Sequence, residues 1–227
     1  EVTKKPMMAQ IKASNIDGTK GTFRVTATGI AAVSGVEKVQ IPVWCLDDQS
    51  DIVWYDAVKT GEGIYTVNVD VSKHAYHFGN YRSHVYVTSR NGIRTFVGGT
   101  ATKIEAVNYV YSTSLSATRQ EIGIIGVTAQ RVQFPTWSDE NGQDDTIWYE
   151  GTNKGNGKWS AIVDSKEHKH SGKFVTHVYA DGKYVNSISY QLKKNNIEVA
   201  NVIRNAGMPV GKTLYVWGGG WNAADTA

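Results

Sequence analysis

The residues best able to do covalent chemistry in this sequence are one cysteine and six histidines. Cys45 is the only thiol, so it cannot form an intramolecular disulfide, and it is the one candidate for a cysteine nucleophile. It directly follows Trp44 at the end of a predicted strand, and Ser138 occupies the corresponding place later in the chain. Because a serine fills the same position, we interpret Cys45 as a small strand-end residue rather than a catalytic one.

The histidines fall into two groups of three, and the last histidine of each group has a tyrosine two residues later. Side chains two apart share one face of a strand, so His84 lies beside Tyr86 and His177 beside Tyr179. We expect packed or hydrogen-bonded surface pairs; contact with a glycan or peptide and metal binding are the alternatives. Metal binding is disfavoured because the first two histidines are three residues apart in one group and two apart in the other. A metal site shared by both groups would need the same spacing.

An acidic loop at residues 139–145 concentrates oxygen ligands of the kind that calcium takes. Its candidate ligands are Asp139, Asn141, Asp144 and Asp145. The loop lacks the ligand spacing of a helix–loop–helix calcium site, and its Asn-Gly pair also suits a tight turn without metal. We expect the turn and keep calcium in this loop as the only cofactor hypothesis.

Adjacent aromatic residues suggest a surface for sugars. Trp54-Tyr55 and Trp148-Tyr149 lie in predicted strands, so the two rings of each pair point to opposite faces of a sheet. Which ring is buried depends on the register. We expect the tryptophans in the core, and Tyr55 and Tyr149 at a surface or edge, where an aromatic face can stack on a sugar ring.

These residues recur because the sequence is duplicated. Four ordered blocks return at an offset of 93 or 94 residues: 39–44 with 132–137, 49–55 with 143–149, 70–74 with 164–168, and 84–86 with 177–179. A nearly constant offset over four blocks is the signature of an internal repeat. We therefore predict two homologous domains, residues 14–100 and 108–192, joined by a short linker.

Within each copy the pattern is that of strands and turns. Residues 22–27 alternate apolar and polar side chains, as a half-buried strand does, and Asn91-Gly92 is a hairpin signal. Pro42 and Pro135 lie inside predicted strands and suggest edge or bulge positions. The sequence predicts an all-β protein of two tandem immunoglobulin-like β-sandwich domains.

The last part of the chain, residues 196–227, has a different pattern. Apolar residues at 199, 202, 203 and 206 have helical spacing, and Gly207 follows as a helix C-cap. A short apolar run at 214–217 then precedes three glycines. We predict a short helical C-terminal tail leading to a strand.

The repeated blocks resemble the GBS Bsp-like repeat of secreted Gram-positive cell-wall proteins. The second copy carries the closer match, at Pro135, Trp137-Ser138, residues 142–145 and Trp148-Tyr149. The first copy departs from it with Cys45 and Ser50. The resemblance implies a targeting or spacing module that accompanies a peptidoglycan hydrolase.

The tail is similar to the start of an NlpC-type cell-wall amidase or peptidase, on residues 199–201, Gly211-Lys212 and 215–219. In that family a nucleophilic cysteine and a histidine follow the glycines, and neither occurs between these glycines and Ala227. The resemblance therefore implies a catalytic domain downstream in cis and no catalysis by these residues themselves.

Composition narrows the choice of partners. The net charge is +3, without a dense basic cluster, and no run of about 20 apolar residues exists, so we expect neither nucleic acid nor a membrane as partner. Together with the resemblance, this predicts a secreted, cell-wall-associated, non-catalytic module pair that binds peptidoglycan or associated glycans, or acts as a spacer. A peptidoglycan hydrolase and an adhesin for host glycans or proteins are the alternatives.

Overall fold

The structure is a computed structural model, and it describes residues 5–193. The first half of the chain forms eight strands: β1 Gln10–Asp17, β2 Thr22–Thr28, β3 Val36–Trp44, β4 Val53–Asp56, β5 Val58–Gly61, β6 Ile64–Asp70, β7 Gly79–Ser89 and β8 Arg94–Ile104. The second half forms eight more: β9 Tyr109–Ser114, β10 Arg119–Ile125, β11 Val132–Ser138, β12 Ile147–Glu150, β13 Thr152–Gly155, β14 Lys158–Asp164, β15 Gly172–Ala180 and β16 Lys183–Leu192. Two short 3-10 helices, Val71–His74 and Ser165–Glu167, follow β6 and β14.

Each half folds into two four-stranded antiparallel sheets. The strand orders are β1-β2-β6-β5 and β4-β3-β7-β8 in repeat one, and β9-β10-β14-β13 and β12-β11-β15-β16 in repeat two. We call the sheets built on β3 and β11 the β3 sheet and the β11 sheet. This strand order is that of an immunoglobulin-like sandwich, so the predicted all-β tandem fold is confirmed. The predicted helical tail, residues 196–227, lies outside the described residues.

The core of each repeat comes from strand alternation. In β7, Tyr81, Ser83, Val85 and Val87 are fully buried, whereas the residues between them are less buried or exposed. The first core continues with Phe23, Val25, Val39, Ile41, Val43, Val67, Val69 and Ile104, and the second contains Ile122, Ile124, Val132, Phe134, Val163, Phe174 and Val178. The side chains between the core positions of the β3 and β11 sheets therefore face outward.

Both strand prolines occupy inner strands, so the expected edge or bulge position is wrong. β3 lies between β4 and β7, and Pro42 pairs with Trp54 of β4. On the β7 side, Gln40 pairs with Tyr86 and Val43 with Ser83, without a shift of register. Because proline has no N–H to donate, only the local ladder contact is lost, and the strand keeps its course.

The two repeats share a packed junction. Tyr109 and Tyr111 of β9 belong to the buried core cluster of repeat one. Tyr76, just after the first 3-10 helix, packs against Tyr111 with 4.8 Å between ring centroids. Its hydroxyl donates to the carbonyl of Ser112 across 3.1 Å. Tyr76 reaches this position through a left-handed backbone, with φ of 61°.

Candidate functional site

The outward surface of the β3 sheet carries a cluster of aromatic side chains. His84 and Tyr86 alternate with the buried residues of β7, and Trp54 of β4 lies on the same side because it pairs with Pro42. We call this cluster face one and define it by five rings: Trp44, Trp54, His84, Tyr86 and Phe96. Antiparallel pairing brings them together from four different strands.

The rings of face one contact one another in series. Trp54 and Tyr86 have centroids 5.4 Å apart, and Tyr86 and Phe96 have centroids 5.6 Å apart. His84 lies between Trp44, at 4.7 Å with nearly perpendicular rings, and Phe96, at 4.8 Å. Trp54 is 46% exposed and Phe96 is 50% exposed, so the series forms an open apolar platform.

The β11 sheet repeats this arrangement at equivalent positions. Face two consists of Trp137, Trp148, His177, Tyr179 and Tyr184. Trp148 and Tyr179 are 5.4 Å apart, and Trp137 and His177 are 4.7 Å apart, the same distances as in face one. Tyr184 takes the place of Phe96, since it pairs with Tyr179 as Phe96 pairs with Tyr86.

A polar rim borders each platform. In repeat one, Gln40 Nε2 donates to Asp56 Oδ1 across 2.9 Å, and Lys38 Nζ lies 2.9 Å from the same oxygen. The Lys38 ammonium and the Gln40 amide lower the pKa of the Asp56 carboxyl.

In repeat two, Gln133 Nε2 donates to Glu150 Oε1 across 2.8 Å, and Arg131 pairs with both oxygens of Glu150. The Arg131 guanidinium lowers the pKa of the Glu150 carboxyl. Both rims therefore hold an ionised carboxylate and an amide beside the exposed tryptophan.

An apolar platform with hydrogen-bonding groups at its border can hold a sugar ring. In such an arrangement the C–H face of a sugar would pack on the aromatic rings, while its hydroxyls would reach the rim. Burial lowers the pKa of His84, so its imidazole is neutral at pH 7 and belongs to the platform rather than to the charged rim. Of the residues predicted from the sequence, His84, Tyr86, His177 and Tyr179 lie on these faces.

The expected orientation of the Trp-Tyr pairs is wrong. Trp54 and Trp148 point outward, whereas Tyr55 and Tyr149 point inward and are half-buried. The sequence contains the signal that would have shown this. In Val53-Trp54-Tyr55-Asp56 and Ile147-Trp148-Tyr149-Glu150, each tyrosine shares its strand face with an aliphatic residue, and each tryptophan shares its face with a carboxylate.

Each inward tyrosine is tied to a buried histidine. Tyr55 Oη lies 2.9 Å from His74 Nε2, and His74 Nδ1 lies 2.8 Å from the Asp51 carbonyl oxygen. In repeat two, Tyr149 Oη lies 3.0 Å from His168 Nε2, and His168 Nδ1 lies 3.1 Å from the carbonyl oxygen of Asp145. These contacts lie under the sheets, away from the aromatic faces.

The aspartates of these blocks anchor the ends of β3 and β11. Asp51 accepts hydrogen bonds from the backbone N–H groups of Cys45 and Leu46, both at 3.1 Å, and from His77 Nδ1 at 3.0 Å. Burial acts to raise the pKa of Asp51, but these hydrogen bonds outweigh it and the pKa is lowered. Burial raises the pKa of the Cys45 thiol, which keeps it protonated and unsuited to nucleophilic attack.

The structure does not bring the four candidate calcium ligands together. Asp145 accepts hydrogen bonds from the backbone N–H and the hydroxyl of Ser138, and Asp144 and Asp139 pair with lysines. Asn141 occupies a left-handed turn position with φ of 57°. Within residues 5–193, no three acidic, histidine or cysteine side chains are placed to hold one metal ion.

The model of the GBS Bsp-like repeat matches the sequence twice, over residues 12–102 and 110–197. The chain belongs to the GBS Bsp-like repeat family. The two matched segments each contain one complete aromatic face, so each GBS Bsp-like repeat here presents its own platform. No curated protein matches the chain.

Solved structures resemble the GBS Bsp-like pair only distantly. A tetra-tandem repeat from the extending region of a large adhesion protein is 17% identical, with a TM-score of 0.38, over 83% of this chain and 50% of that one. A polysaccharide deacetylase from Bacillus cereus is 10% identical, with a TM-score of 0.37, over 47% of this chain and 31% of that one. A two-domain fibronectin type III segment of chicken tenascin is 8% identical, with a TM-score of 0.30, over 83% of this chain and 99% of that one. The chain thus spans at most half of the first two structures.

Among the residues that the structure describes, none belongs to a helix long and apolar enough to cross a membrane.

Proposed function

We propose that the two repeats form a non-catalytic binding pair for a cell-wall glycan, either peptidoglycan or a polymer associated with it. One observation carries the proposal: the same five-ring platform, bordered by the same Gln–carboxylate–cation rim, recurs in both copies. His74 and His168 also recur in both copies, but both are buried, so the need to build the core explains their recurrence. The exposure of Trp54 and Trp148 has no such structural explanation, because an exposed indole adds little to folding.

The energetics suit a weak, repeated interaction. Covering about 100 Å² of apolar surface on one platform contributes roughly 2.5 kcal/mol, before hydrogen bonds from the rim and the entropy cost of binding. A single open platform therefore binds a sugar unit weakly. Two platforms on one chain bind a polymer more tightly, because the second contact is intramolecular.

The parent protein is, in this proposal, a secreted cell-wall hydrolase of Gram-positive bacteria, and the repeat pair targets it to its substrate or spaces it from the wall. The resemblance of residues 199–201, 211–212 and 215–219 to the start of an NlpC-type domain supports this context. Catalysis is assigned to such a domain and not to the repeats, since the raised pKa of Cys45 disfavours a thiolate.

The test is co-sedimentation of the full chain with purified Gram-positive cell walls, intact or stripped of their anionic polymers. We expect the chain to sediment, and the Trp54→Ala/Trp148→Ala double variant to lose at least tenfold in affinity, which corresponds to about 1.4 kcal/mol. The matched control is Val58→Ala/Ile162→Ala, which removes exposed apolar residues from the other sheets. Failure of the chain to sediment with either preparation overturns targeting, and equal loss in the control overturns the role of the platforms.

A further inference from the structure

The two faces differ in one charged residue, Arg94. Its guanidinium carbon lies 4.9 Å from the ring centroid of Trp54 and 5.0 Å from that of Tyr86. No corresponding cation lies over Trp148 or Tyr179 among the ring contacts of residues 5–193.

The difference arises from the length of one hairpin. In repeat one, Tyr86 pairs with Phe96, and the hairpin continues to the pair Thr88–Arg94. In repeat two, Tyr179 pairs with Tyr184, and the ladder ends at the next pair. The longer hairpin adds strand positions beyond the platform.

One of these added positions is Arg94. It lies two residues before Phe96 and therefore on the same side of β8. The shorter hairpin of repeat two has no equivalent position.

Two other cations beside face one are paired with carboxylates. Beside face one, Lys38 pairs with Asp56, and Arg82 pairs with Asp47 across 2.8 Å. In the part of the chain that the structure describes, no carboxylate forms an ion pair with Arg94. Arg94 is thus a cation over the rings of face one that none of the described ion pairs neutralises.

Beside face two, the cation of the rim is Arg131, which is paired with Glu150. Lys183 precedes Tyr184 directly, so strand alternation turns it to the opposite side of β16. The described cation of this rim is therefore paired with a carboxylate.

We propose that face one binds an anionic sugar unit and face two a neutral one, an assignment that rests on the proposed glycan-binding function. Contact with two rings uses the flat side of the guanidinium and holds it in place, while its N–H edge stays available as a bidentate donor to a carboxylate or phosphate. The sugar ring itself packs on the exposed parts of Trp54 and Phe96, next to the guanidinium. Face two offers rings and a balanced rim, which suit an uncharged sugar.

The experiment isolates each face within the full chain. Trp148→Ala leaves face one as the intact platform, and Trp54→Ala leaves face two. Three probes are titrated against each variant: a neutral N-acetylglucosamine oligomer, a polygalacturonate carrying carboxylates, and a poly(glycerol phosphate) carrying phosphates. We expect the Trp148→Ala variant to prefer an anionic probe over the neutral one by about tenfold at low salt, with the preference falling as salt rises. The Trp54→Ala variant shows no such preference.

Adding Arg94→Gln to the Trp148→Ala variant then removes the anionic preference and leaves neutral binding unchanged, whereas Arg94→Lys restores only part of it because lysine lacks the planar fork. Arg24→Gln, which changes an exposed arginine on the other sheet, controls for net charge.

An undiminished preference after Arg94→Gln, or an equal loss after Arg24→Gln, overturns the assignment. If neutral binding depends on Trp148 but no variant prefers an anion, the assignment is wrong and the proposed function stands. If no variant binds any probe, the assignment is wrong, and co-sedimentation with cell walls decides the proposed function separately. The two anionic probes separate carboxylate from phosphate recognition.

Discussion

Tyr55 Oη donates a hydrogen bond to His74 Nε2 across 2.9 Å, beneath the sheet whose outer surface carries Trp54. The direction follows from the other ring nitrogen. His74 Nδ1 faces the carbonyl oxygen of Asp51, which can only accept, so Nδ1 carries the proton and Nε2 is the acceptor. The repeated Trp-Tyr pair therefore joins two functions: the tyrosine fixes the strand to the core, and the tryptophan next to it is presented outward.

Tyr55→Phe is expected to lower the free energy of unfolding of repeat one by about 1–3 kcal/mol, because a buried imidazole nitrogen loses its donor. Tyr149→Phe is expected to destabilise repeat two as well, because the Tyr149 hydroxyl donates to Glu167 Oε2 across 2.8 Å and lies 3.0 Å from His168 Nε2. Urea denaturation measures both. Tyr184→Phe is the control, since its hydroxyl contacts only the exposed Ser187 hydroxyl at 3.3 Å. A loss in the control as large as in the two variants would contradict the explanation.

Stability should fall as the pH drops below about 6.5, the ordinary pKa of histidine in an unfolded chain. Burial lowers the pKa of His74 and His168 in the folded protein, so the unfolded chain binds their protons first. The contribution of the two histidines to the free energy of unfolding is fully present above that pH and is lost as the pH falls towards their pKa in the folded protein. Each histidine changes the free energy of unfolding by at most about 1.4 kcal/mol per pH unit. Urea midpoints at pH 7.5, 6.5, 5.5 and 5.0 test this, and a midpoint that stays constant or rises on acidification rejects it.

Tyr76→Ala should loosen the junction between the repeats. The substitution removes the ring contact with Tyr111 and the hydrogen bond to Ser112. Small-angle scattering is expected to show a broader range of inter-repeat orientations, with each repeat still folded by circular dichroism. Tyr76→Phe keeps the ring contact and should remain close to the parent chain. An unchanged scattering profile for Tyr76→Ala would show that the junction does not hold the repeats together.

Gly123→Ala is expected to destabilise repeat two by about 1–3 kcal/mol through overpacking. A Cβ at this position of β10 would overlap the ring of Tyr111, the paired residue on β9, which is only 3% exposed. Ile162→Ala on the exposed side of β14 is the control and should change stability by less than about 0.5 kcal/mol. Thermal unfolding compares the two, and equal melting temperatures would contradict the packing argument.

The sequence predicts the all-β tandem fold because duplication and strand alternation are local patterns. It also places His84-Tyr86 and His177-Tyr179 on shared strand faces. The prediction that Trp54 is buried is wrong because it rests on the hydrophobicity of the indole. The positions of Val53 and Asp56 in the same strand place Tyr55 on the inner face and Trp54 on the outer face.

Other features depend on contacts distant in sequence. The pairing of His74 with Tyr55 spans 19 residues, and the contact of Tyr76 with Ser112 spans 36. The position of Arg94 over Trp54 depends on the length of a hairpin and on the two strands, β3 and β7, that lie between β4 and β8. Propensity and periodicity describe single strands and contain no information about such contacts.

The junction built on Tyr76 has a consequence for any polymer that meets both platforms. When two modules are joined by a flexible linker, the second module reaches its binding site by random motion of the linker. The effective concentration for this second contact then falls slowly as the linker becomes longer. Modules joined by packed rings sample few relative orientations, so the second platform meets the polymer at a concentration fixed by geometry. In the proposed function, a polymer whose units recur at the matching interval is held by both platforms, and a polymer whose units recur at other intervals is held by one.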